Sequence, residues 1–76
     1  NFRAPQWYNN NVVVGMNDED DGHVVTSSAI VAYTLDGKKQ VLTNNSIMAM
    51  YPYVSADGSK IVCSTPTGEA YLINIK

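Results

Sequence analysis

Residues 51–76 read YPYVSADGSKIVCSTPTGEAYLINIK, and the order of residue types in this stretch decides the fold. An apolar and aromatic run reaches Val54. A polar turn with Asp57-Gly58 follows, then a run from Lys60 to Ser64, a second turn carrying Pro66 and Gly68, and a last apolar run. Short Val-, Ile- and Tyr-rich segments punctuated by Gly, Pro and Asp are the pattern of antiparallel strands joined by hairpin turns. Asp-Gly supplies a positive φ at little steric cost, so Gly58 is expected in the left-handed region.

The same pattern runs back through the rest of the chain. Strands are expected at 6–8, 11–16, 29–35, 39–43, 48–54, 60–64 and 69–75, with Asp36-Gly37 and the Asn9-Asn10-Asn11 run as further reversals. The stretch NDEDDGH, Asn17 to His23, is too polar for a strand on this reading and is expected as a long hairpin loop ending near Gly22. Helical periodicity is almost absent, so the class expected is all-β.

Internal similarity refines this. "APQWYNNNVVV" aligns with "YPYVSADGSKIV", placing Pro5 on Pro52, Trp7 on Val54, and Val13 and Val14 on Ile61 and Val62. Further on, "IVAYTLDG" aligns with "AYLINIK", placing Ile30 on Ala70, Ala32 on Leu72, Tyr33 on Ile73 and Leu35 on Ile75. Two copies of a strand-turn-strand-loop-strand unit are expected, residues 1–45 and 46–76. The first continues into a fourth strand, "KKQVLT". The second stops where its fourth would begin, as an incomplete copy. A four-stranded antiparallel unit of roughly 40 residues is the size of a propeller blade, which buries its faces against neighbouring blades.

The segment around Ser55-Ala56-Asp57-Gly58, with Pro52 before it and apolar strands after it, resembles the PD40 or TolB-like β-propeller repeat. Ala56 stands where that repeat has Pro, while the turn-forming Asp and Gly remain. Leu42 and Thr43 resemble its Leu-Thr ending. The resemblance implies four-stranded antiparallel blades in an incomplete propeller, a non-catalytic protein-protein interaction scaffold, and a periplasmic or otherwise extracytoplasmic bacterial setting with an envelope protein as partner. It also admits an alternative: an accessory propeller of a prolyl-oligopeptidase-like peptidase or a polysaccharide lyase, with its catalytic residues outside this chain.

Composition narrows the partners. Hydrophobic residues make up 45% and charged residues 16%, a charged share below the quarter usual for soluble domains. A net charge of -2 gives no basic footprint, and Lys38, Lys39 and Lys60 are too few to track phosphates, so no nucleic-acid partner is expected. No apolar run reaches the length of a membrane-spanning helix. The chain begins at Asn1 without an initiator Met, so a processed product or a piece of a longer protein is expected. The expected partners are the remainder of the same propeller, or further copies joined through exposed strand edges.

Candidate chemistry is sparse. Asn17, Glu19 and Asp21 alternate ahead of Gly22, a spacing resembling a calcium loop, but the twelfth position is Ser28 instead of Glu. A solvated hairpin tip whose like charges discourage edge pairing accounts for the same residues. His23 sits beside these carboxylates without a nucleophile or ligand set around it. Cys63, the single cysteine, reads as a small buried hydrophobe. Trp7, Tyr8, Tyr51 and Tyr53 sit in the two equivalent first strands, where they would pack between sheets or present a stacking platform for sugar. No catalytic residue and no cofactor is expected, nor is enzymatic activity of this chain.

Overall fold

Among the described residues seven strands form: β1 (Phe2–Asn9), β2 (Val12–Asp20), β3 (Val25–Thr34), β4 (Lys39–Val41), β5 (Met50–Val54), β6 (Lys60–Ser64) and β7 (Ala70–Asn74). They build two antiparallel meanders, a four-stranded sheet ordered β1-β2-β3-β4 and a three-stranded sheet ordered β5-β6-β7. The computed structural model describes residues 2–44 and 47–75, and the expected boundary between residues 45 and 46 lies outside them. The fold is all-β, and neither sheet closes on itself.

The turns follow from their chemistry. At Thr34 to Lys38, Ser55 to Lys60 and Thr65 to Glu69, the glycine amide donates to the carbonyl three residues earlier, at 3.0 Å in each case. Gly37, Gly58 and Gly68 have φ of 92°, 72° and 87°, a region where a Cβ would strain the backbone. Asp57 fastens its turn by accepting from the Ser59 amide at 3.0 Å and from the Ser55 and Ser59 hydroxyls at 2.8 Å. These bonds to the ionised form hold its carboxyl well below the usual carboxylate range, the Ser59 amide contributing most.

One sequence expectation is corrected. Asn17 to Asp20 is strand, not loop: β2 continues through Asn17, Asp18 and Glu19, paired with Ala29, Ser28 and Ser27. The reason is Asp18, which continues the inward alternation of Val14 and Met16 and is 2% exposed. Arg3 reaches it from β1 with both Nε and Nη2, so the buried carboxylate is paired and bonded, which its burial requires. The reversal itself is confined to Asp21 to Val24.

The two sheets lie face to face. Val14, Met16 and Ile30 from the first pack with Ile61 and Cys63 from the second and with Ala49, just ahead of β5, with Tyr8, Ala32, Leu42, Val54 and Ile73 around them. Gln6 bridges the sheets: its side-chain amide donates to the Pro52 carbonyl, and its carbonyl accepts from the Val54 amide at 2.8 Å. Tyr8 donates to the Gly58 carbonyl, tying β1 to the β5–β6 turn.

The cross-strand rows coincide with the internal sequence alignment. Gln6, Val14 and Ala32 form one row of the first sheet, and their aligned residues Tyr53, Val62 and Leu72 form one row of the second. Trp7, Val13 and Tyr33 form the next row, as do Val54, Ile61 and Ile73. One irregularity matches as well, while the shifts at Trp7 to Asn9 and at Glu19 to Asp20 belong to the first sheet alone. An extra residue bulges β1 between Arg3 and Gln6 and β5 between Met50 and Tyr53. In each bulge the residue before the aligned proline has a positive φ, 51° at Ala4 and 52° at Tyr51.

Candidate functional site

The most feature-rich surface is the rim formed by the β2–β3 reversal. Asp21 shapes it by accepting from the His23 and Val24 amides at 2.9 and 3.0 Å, while Asp20 accepts from the Gly22 amide at 3.1 Å. Those backbone bonds lower the Asp21 carboxyl, Val24 contributing most. Behind the reversal lies a polar hollow walled by Arg3, Asp18, Asp20 and His23. The Asp18 carboxyl is lowered chiefly by its bond to Arg3. Next to it, sharing Val24 and Val25, lies an apolar hollow walled by Met48, Met50, Tyr51 and Pro66. A charged and an apolar concavity side by side can engage a mixed protein surface.

The calcium-like residues are not gathered around one point. Asn17 and Glu19 lie in β2 on the face opposite Asp18, while the Asp21 carboxylate is engaged by its own turn. Among the described residues no group of three or more His, Cys, Asp or Glu side chains is placed to hold a metal ion. His23 is exposed at the tip.

The four aromatics are dispersed. Trp7 is 62% exposed on the outward face of the first sheet, and Tyr53 is 69% exposed on the outward face of the second, at the opposite side of the stack. Tyr51 is exposed beside the rim, while Tyr8 lies half-buried between the sheets. No shared aromatic platform results. Cys63 is buried in the inter-sheet core, and that burial raises its thiol pKa, leaving it a poor nucleophile.

Arg3, Gln6 and Asp18 carry much of the polar structure, yet none stands out in the sequence. Asp18 had one signal: it extends the period-two spacing of Val14 and Met16. Its partner Arg3 lies fifteen residues away and has no local signature.

Between the sheets, on the side where β4 and β7 are the outer strands, a groove of about 410 Å³ is walled by Val12, Ala32, Leu42, Ile61, Ile73 and Ile75. Its lining mixes core hydrophobes with the polar side chains of Tyr8, Gln40 and Asn74. Among the described residues no helix is long and apolar enough to cross a membrane. Comparison of the chain with family models, curated proteins and solved structures finds no match in any of the three.

Proposed function

We propose that the chain is a segment of a β-propeller that serves as a protein-protein interaction scaffold and carries no chemistry of its own. The observation that carries this reading is the match of register between the two sheets. Residues equated by sequence occupy equivalent cross-strand rows, down to the bulge before Pro5 and Pro52. Stacked equivalent sheets bury a continuous core, which is the principle of repeat architectures. On this reading the first sheet is a four-stranded blade and the second sheet corresponds to the first three strands of another; among the described residues no strand pairs with the far edge of β7. The TolB-like resemblance adds an extracytoplasmic setting and an envelope protein as partner, and the rim of paired charged and apolar hollows is the surface offered to it.

The alternative, an accessory propeller of a peptidase or lyase, places the catalytic residues outside residues 1–76. The experiment that tests the proposal is the structure of the polypeptide encoded by the native gene. A ring of such blades without a hydrolase domain is the expected result. A nucleophile-elbow segment, Gly-x-Ser-x-Gly, in the same polypeptide would move the reading to the accessory domain, and a closed single barrel would overturn it.

A further inference from the structure

The two sheets pack front to back, and this fixes what their outward faces complement. The first sheet turns the rows Gln6/Val14/Ala32 and Met16/Ile30 toward its neighbour. The aligned rows of the second sheet, Tyr53/Val62/Leu72 and Ser64/Ala70, point away from the first. Conversely, the second sheet buries Val54/Ile61/Ile73 against the first, and the aligned row Trp7/Val13/Tyr33 faces outward. The stack therefore ends in one unused copy of each half of its own interface.

Each end carries an exposed apolar cluster beside polar side chains, Asn17, Glu19 and Lys39 on the first sheet and Lys60 and Asn74 on the second. Tyr53, Val62 and Leu72 are 69%, 38% and 55% exposed on one. On the other, Trp7 and Val41 are 62% and 53% exposed, next to Phe2, whose ring lies over Gly15 and meets Tyr33 edge-on at 5.0 Å. Exposed apolar faces of this kind mark contact sites.

We propose that a second copy of this chain docks head to tail on the first, its Trp7/Val13/Tyr33 face seated on the Tyr53/Val62/Leu72 face, repeating between molecules the contact already built within one. The inference rests on the repeat reading above and not on ring closure. It replaces edge-to-edge pairing by face-to-face stacking. Because the contact is heterologous, each copy keeps one face free, and assembly continues until the rotation closes or a face is blocked.

The test uses two variants at exposed positions, Trp7→Glu, which blocks one face, and Leu72→Glu, which blocks the other. By sedimentation at micromolar concentration the unmodified chain is expected at two or more times its 8.3 kDa monomer mass. Each variant alone is expected as a monomer, and an equimolar mixture as a one-to-one dimer and nothing larger. Trp7 is the sole tryptophan, so its emission supplies a second readout that leaves its own position unaltered. The unmodified chain is expected to red-shift on dilution, and the Leu72→Glu chain to show the exposed emission at every concentration. A monomeric unmodified chain, a variant that still self-associates, or a mixture that stays monomeric would each overturn the docking. None of these results bears on the blade arrangement of the native polypeptide, so failure of the docking is distinguishable from failure of the propeller reading.

Discussion

Gly58 sits at φ 72° with only the Tyr8 hydroxyl near its missing Cβ, at 3.9 Å, so a substitution there meets backbone strain and not a clash. Gly58→Val is expected to lower unfolding stability by about 1–3 kcal/mol, measured by denaturant titration; an unchanged midpoint would contradict the left-handed turn. Asp57, in the same turn, links stability to pH. Its carboxyl is lowered in the folded chain by the Ser59 and Ser55 bonds, as Asp18, Asp21 and Asp36 are lowered by theirs. The unfolded chain therefore binds more protons than the folded one as these groups titrate. The stabilisation is complete above the ordinary carboxylate pKa of about 4 and is lost as pH falls below it. Thermal midpoints are expected to hold between pH 6 and 8 and to drop steeply toward pH 2.5, with a shallower drop for Asp57→Asn.

At the scale of elements, polar contacts across the stack set how β1 meets β5. Gln6 satisfies the Pro52 carbonyl and the Val54 amide just past the β5 bulge. Gln6→Ala removes both bonds and is expected to cost about 1–3 kcal/mol, from the backbone groups left without partners; Gln6→Glu, which sets a carboxylate oxygen against the Pro52 carbonyl oxygen, is expected to cost at least as much at neutral pH. Strand positions and turns were legible in the sequence because Asp36-Gly37, Asp57-Gly58 and Pro66 to Gly68 encode reversal locally. The expected strand 60–64 coincides with β6, and 39–43, 48–54 and 69–75 overrun β4, β5 and β7 at their ends, whereas 6–8, 11–16 and 29–35 miss residues of β1, β2 and β3 on the side of the β2–β3 reversal. Those shortfalls share a cause. The chain Asn17 to Asp20 looks like loop by polarity, and only Arg3, brought alongside by the β1–β2 pairing, makes a buried Asp18 tolerable. The rim hollows were invisible for the same reason, since Met50, Tyr51 and Pro66 reach Val24 and Val25 only once the sheets stack.

Across the whole molecule, the packing of the two sheets is set by which face of the second is turned inward. The register places Ile61 and Cys63 in the core, fully buried, and leaves Val62 and Leu72 outside. A one-residue slip in β6 would exchange these sets. Large-to-small substitution separates them: Ile61→Ala is expected to cost about 2–5 kcal/mol by creating a core cavity, while Val62→Ala on the outward face is expected to cost well under half as much. The most direct measurement is the pattern of nuclear Overhauser contacts between methyl groups of the two sheets in solution, with associated copies removed by Leu72→Glu. Ile61 methyl contacts to Val14, Met16 and Ile30 are expected, and none from Val62 to those residues. Contacts from Val62 to Val14 or Ile30, with Ile61 silent, would show the sheets packed front to front and would contradict the repeat arrangement.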